Sequence, residues 1–216
     1  MTTQSGALAP RAPVATLADV AIPAFGNAQA AQWLRAVVLV VAGAALTALS
    51  AQLIWRAPWS DVPYTGQTAA VLLVGTALGS RLGVASMALY VLAGALGMGV
   101  FSGGSSGLFD ATGGLSVTVG YLAGFIVAAG LVGRLAEQRW DRSPVRAAGL
   151  MVLGNLVIYA IGVPVLAITA GMSISDALFY GAIVFVPWDA IKILAAAGLL
   201  PLAWRAVGSR GTRRQP

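Results

Sequence analysis

The sequence predicts an all-α integral membrane protein of six transmembrane helices, with N- and C-termini cytoplasmic. Three observations predict it. Of 216 residues, 58% are hydrophobic and only 9% charged. The mean hydropathy is +0.85. Nearly all the charges fall between long apolar runs rather than within them. A soluble domain carries about 25% charged residues, so the solvent of this chain is lipid.

A span needs roughly 20 apolar residues, because the hydrocarbon layer is about 30 Å thick and a helix rises 1.5 Å per residue. Runs that meet or approach this lie at 33–55, 67–78, 82–101, 116–135, 147–170 and 177–202. The stretch 67–101 is too long for one span and carries one charge, Arg81, beside Gly79, Ser80 and Gly83. It is expected to break there. The resulting 67–78 span is short and must extend back through Pro63, be buried by its neighbours, or enter obliquely. Residues 1–30 contain Asp19, Pro10, Pro13 and Pro23, and lack the basic start and unbroken apolar core of a cleaved signal peptide. They are expected to form a disordered cytoplasmic extension, with an amphipathic surface segment over 14–25 as the alternative. Residues 31–204 then form the six-helix substrate-binding domain, and 205–216 a basic cytoplasmic tail.

Sidedness follows from the loops. Six spans place Arg11, Arg35, Arg81, Arg134, Arg139, Arg142, Arg146, Arg205, Arg210, Arg213 and Arg214 on the side of the termini, with Asp19, Glu137 and Asp141. The opposite loops hold Arg56 with Asp61, Asp110 and Asp176. Eleven basic residues against one put the termini inside. The formal charge of +6 is therefore a topology signal, and no nucleic-acid partner is expected.

With no Cys and no His, disulfides, thiolate or imidazole metal sites and Ser–His–Asp or Cys–His catalysis are excluded. A charged pair nevertheless sits inside the last apolar run: Asp189 and Lys192, three residues apart on one helix face. Each costs roughly 2.5–3.5 kcal/mol at a helix centre, so the pair points to a ligand more than to packing. Pro187 just before them removes a backbone donor and is expected to loosen the helix there. After the third span runs Phe101-Ser-Gly-Gly-Ser-Ser-Gly-Leu-Phe109, whose Phe101, Gly103 and Gly104 suit a lid over a ligand. No Gly-x-Gly-x-x-Gly with a following strand occurs, and no Lys beside the glycines, so this chain is not expected to hydrolyse ATP. Gln67, Tyr90, Tyr121, Asn155 and Tyr159 are further polar candidates; Asn155 and Tyr159, four apart, share a face that binds either a ligand or a neighbouring helix. Ala44 and Ala48 in the first span form a small-residue stripe, read either as internal packing or as a partner-docking face.

These residues resemble the biotin-binding S components of energy-coupling factor (ECF) transporters, the BioY family. Four stretches between 62 and 200 carry the resemblance: Val62-Pro-Tyr-Thr-Gly-Gln67-Thr, Leu89-Tyr90 through Gly97 to Val100-Phe101-Ser-Gly-Gly-Ser-Ser-Gly107, Gly120-Tyr-Leu-Ala-Gly-Phe125, and Phe185-Val-Pro-Trp-Asp189-Ala-Ile-Lys192. The family's usual Pro-Thr-Gly-Gly-Tyr reads Val117-Thr-Val-Gly-Tyr121 here, so 101–107 is preferred to 112–114 for ligand contacts.

The resemblance implies a vitamin-capturing subunit in a prokaryotic plasma membrane, with biotin held beneath the outer loops. Asp189 and Lys192 receive its carboxylate end. The glycine loop, helped by Gln67, Tyr90 or Asn155, surrounds its ring. Ala44 and Ala48 dock on a transmembrane coupling subunit whose ATPase pair hydrolyses the ATP; the chain itself binds no cofactor, and a homo-oligomer is the alternative assembly. Another small carboxylated vitamin, a non-transporting scaffold and an intramembrane enzyme using Asp189 are the competing readings. Against the last, no second membrane carboxylate and no nucleophile–base spacing is present.

Overall fold

The computed structural model describes residues 15–22, 29–55, 64–110 and 113–212, and the chain is predominantly helical there. The elements are α1 (Leu17–Ala21), α2 (Gln29–Ala51), β1 (Ile54–Trp55), β2 (Tyr64–Thr65), α3 (Gln67–Ala95), α4 (Val119–Ala136), α5 (Pro144–Ala170), α6 (Ile174–Gly181) and α7 (Val186–Thr212). β1 and β2 pair antiparallel in a two-residue ribbon, Ile54 opposite Thr65 and Trp55 opposite Tyr64. Among the described residues, five helical stretches are long and apolar enough to cross a membrane: α2, α3, α4, α5, and 174–207 spanning α6 and most of α7.

The second of these is not one rod. Gly79 breaks α3 with φ +81° and ψ 176°, a conformation open essentially only to glycine. A Cβ on Gly83 would lie 2.9 Å from the Cα of Gly75, whereas eight residues of straight helix separate two positions by about 12 Å. The chain therefore doubles back into two arms, as the Gly79-Ser80 signal predicts. Glu137 fastens the turn by accepting from the backbone N–H and the hydroxyl of Ser80, at 2.8 and 2.7 Å.

The two ends of the bundle differ. At one end the Gly79 turn meets Glu137, Arg142 donates to the Ala15 carbonyl, and the Trp204 indole donates to Asp141 at 2.5 Å. At the other, Gln52 donates to the Phe101 carbonyl, Tyr64 to that of Val184 and Tyr121 to that of Gly181. The core between them is aliphatic and small-residue rich, centred on Val71, Met87, Ala128, Val132, Leu150 and Ile158.

Several expectations need correction. Residues 15–22 of the supposed disordered extension are ordered: Thr16 and Asp19 form a capping box on α1, Leu17 joins the core, and Arg35 clamps the end of α1 through Asp19 and the Ala18 and Ile22 carbonyls. The rest of 1–30 before α2 lies outside the described residues. The expected tail at 205 does not begin there, because α7 runs on to Thr212. The third span ends at Ala95 rather than Phe101, which sits in the loop. The last span is two helices, interrupted at Ala182 (φ −137°, ψ −57°). Pro187 consequently occupies the first turn of α7, where a backbone N–H has no acceptor within the helix, and loosens nothing. Ala44 faces the core at 8% exposure and Ala48 packs beside it, which favours the internal-packing reading of that stripe.

Candidate ligand-binding site

A cavity of about 910 Å³, open mouth included, lies at the end of the bundle that carries the glycine loop. Its apolar wall comes from Leu122 and Phe125 of α4, Leu166 of α5, Phe101 and Phe185; Gln67, Thr68, Tyr121, Tyr159, Asp189 and Lys192 supply the polar groups, with Thr65, Ser102 and Ser105 among the loop residues.

The Asp189–Lys192 pair is formed, Nζ to Oδ1 3.2 Å, with the two side chains only 6% and 14% exposed. The chain arranges this at modest cost. Asp189 falls in the first turn of α7 rather than in a helix interior, so the positive end of the helix dipole supports its charge. Its other oxygen accepts from the Tyr159 hydroxyl of α5. Lys192 donates to the Thr68 hydroxyl of α3 at 2.8 Å and lies 6.0 Å from the centroid of the Trp188 ring. The ammonium thus has two fixed partners and a face on the cavity.

The entrance is built on aromatic contacts. Trp55 stacks on Trp188 at 6.2 Å, Tyr64 meets Trp55 at 5.3 Å and Phe185 at 4.9 Å, so the β ribbon is pinned to the start of α7. Phe101 lies edge-on to Tyr90 at 5.4 Å, and its own N–H closes a turn onto the Ser105 carbonyl.

The structure therefore brings together Asp189, Lys192, Gln67, Phe101, Tyr121 and Tyr159 of the expected residues. It does not bring the rest into the wall. Tyr90 is buried behind Gln67, accepting from its carboxamide and donating to the Val100 carbonyl, so it braces the wall. Gly103 and Gly104 adopt φ +69° and +75° and shape the turn that presents Ser102 and Ser105. Asn155 lines a second, aliphatic cavity on the far side of the Lys192–Thr68 contact, with Leu72, Met151 and Ile193. Thr68, Phe185 and the serines are cavity-lining positions that spacing alone does not mark, although Thr68 and Phe185 stand inside the stretches that carry the family resemblance.

A model described as the BioY family matches residues 17–209. The chain belongs to the BioY family. Curated relatives agree: this BioY-family chain is 35% identical over 146 residues to the biotin transporter BioY of Rhizobium etli, covering 63% of the chain and 74% of the relative. It is 39% identical over 143 residues to the biotin transporter BioY of Thermotoga maritima, covering 65% and 79%. Its fold matches a crystal structure of the S-component for biotin from an ECF-type ABC transporter with a TM-score of 0.70, at 18% identity, over 83% of this chain and 95% of that one.

Proposed function

We propose that this protein captures biotin from the outer side of a prokaryotic plasma membrane and passes it inward as the S component of an ECF transporter. The observation that carries this reading is an ammonium held at one wall of a largely apolar cavity in a BioY-family chain. Biotin offers a carboxylate, an aliphatic tail and a ureido ring. Lys192 receives the carboxylate, the Leu122–Phe125 and Phe185 surface sheathes the tail, and Gln67 with the loop hydroxyls meets the ring. The names of the relatives support biotin over another carboxylated vitamin.

The membrane arrangement is part of the proposal. Each arm of α3 crosses separately, making six crossings with the stretch 174–207 as the last. The cavity faces outward, and the end that gathers Arg35, Arg134 and Arg142 faces the cytoplasm. A transmembrane coupling subunit and its ATPase pair supply the energy.

Replacing Lys192 by Met tests the site. Loss of a buried charged partner costs at least about 2 kcal/mol, so affinity for labelled biotin falls roughly thirtyfold or more. Unchanged affinity refutes the role. Competition by a panel of carboxylated vitamins tests the choice of substrate.

A further inference from the structure

An anion entering this cavity creates a charge problem. Before it arrives, Asp189 and Lys192 neutralise each other at 3.2 Å. Once a ligand carboxylate claims Lys192, the site holds two carboxylates and one ammonium. Either Asp189 takes up a proton or something else must support its charge.

We propose that Tyr159 is a positioning residue that keeps Asp189 ionised while a ligand carboxylate takes its place on Lys192, so that the anion binds without proton uptake. This rests on the proposed site and deepens it. The contacts are already divided for such an exchange. Asp189 presents Oδ1 to Lys192 and Oδ2 to Tyr159, so releasing one oxygen leaves the other bonded. Lys192 is held independently by Thr68 at 2.8 Å, a distance within the normal hydrogen-bond range, while its separation from Asp189 is long for a charge-assisted bond. The ammonium can therefore change anionic partners without leaving its seat.

The other titratable groups around the carboxylate cannot substitute. Tyr121 of α4 donates its hydroxyl to the Gly181 carbonyl at 2.8 Å, and Tyr64 of β2 donates to that of Val184 at 2.8 Å. Among the described residues, Lys192 and Tyr159 are the side chains bonded to Asp189. The α7 N-terminus adds its partial positive charge from the same direction throughout. Tyr159 is thus the donor whose removal leaves the displaced carboxylate without a hydrogen bond.

The test is calorimetric titration of biotin into the purified full-length protein, in buffers of different ionisation enthalpy, for wild type and Tyr159→Phe. Wild type is expected to bind with no net proton uptake and a flat affinity between about pH 6 and pH 8. Tyr159→Phe is expected to take up close to one proton per biotin, and its affinity to fall by up to about tenfold per pH unit as pH rises. Biotinamide, uncharged at that end, should bind both proteins with a pH-independent affinity, which separates this effect from misfolding. Uptake of a proton by wild type, or a proton count unchanged by the substitution, overturns the inference and leaves the biotin reading standing. Absence of biotin binding by wild type overturns both.

Discussion

The ammonium of Lys192 stands nearer to the Thr68 hydroxyl, at 2.8 Å, than to the Asp189 carboxylate, at 3.2 Å. A neutral hydroxyl from α3 therefore does as much to place the charge as its ionic partner on α7. Thr68→Val keeps the shape and removes the acceptor, which costs about 1 kcal/mol, or roughly fivefold in biotin affinity. Thr68→Ser should restore most of the loss. Equilibrium binding of labelled biotin measures both; wild-type affinity in the valine variant would show that Asp189 alone positions Lys192.

Phe101 depends on a glycine beneath it. A Cβ on Gly94 would come within 2.1 Å of the Phe101 ring, so Gly94→Ala must push the ring aside and open the cavity wall. Biotin affinity is expected to fall at least about tenfold, a loss of roughly 1.4 kcal/mol. Gly198→Ala is the control. A Cβ there meets nothing within 4 Å, so the helix gains roughly 0.5–1 kcal/mol and binding is unchanged. Equal binding by the two variants would remove Phe101 from the wall.

The α3 turn should lend the fold an acid sensitivity. Burial alone would raise the Glu137 pKa, but the hydroxyl and N–H of Ser80 and the adjacent Arg134 outweigh it and hold it below the ordinary 4.5. A carboxyl whose pKa is depressed on folding stabilises fully above its unfolded value, and that stabilisation is lost as pH falls through the folded value. The thermal unfolding midpoint in detergent should therefore drop as pH falls below about 4.5, and Glu137→Gln should show a shallower drop. Asp19, held low by Thr16 and Arg35 against its own burial, has the same sign and accounts for a remaining slope. An identical slope in the variant would place the acid response elsewhere.

The parts of this molecule that are legible in its sequence are those fixed by local chemistry. The break at Gly79 is readable because only glycine accepts φ +81° with an extended ψ, and Ser80 and Arg81 follow it. The Asp189–Lys192 pair is readable because charge in an apolar run is costly and a spacing of three shares a helix face. What is not legible depends on partners far along the chain. Thr68 meets Lys192 across 124 positions, and no spacing rule announces a threonine beside a glutamine. Asn155 and Tyr159 do share a face of α5, yet the Lys192–Thr68 contact divides the space they face into separate chambers. The alanine stripe of α2 cannot be oriented from its own sequence, since apolar residues surround that helix on every side.

Sidedness can be tested without background, because the chain has no native cysteine. Ser105 lies in the exposed loop at the cavity end, and Ser143 caps the start of α5 at the end where Arg142 and Asp141 gather. If the basic end faces the cytoplasm, Ser105→Cys in intact cells should react with a membrane-impermeant maleimide. Ser143→Cys should react only after the membrane is opened. The arms of α3 make this a demanding test. Were only one arm of α3 to cross, making five crossings with α2, α4, α5 and the stretch 174–207, α4 would still separate the two serines, but the start of α2 would lie with Ser105. A third probe at Gln32, exposed near the start of α2, distinguishes the cases. Labelling of Gln32→Cys together with Ser143→Cys supports six crossings, whereas labelling of Gln32→Cys together with Ser105→Cys requires an even number of crossings between 32 and 105 and removes the separate passage of one α3 arm.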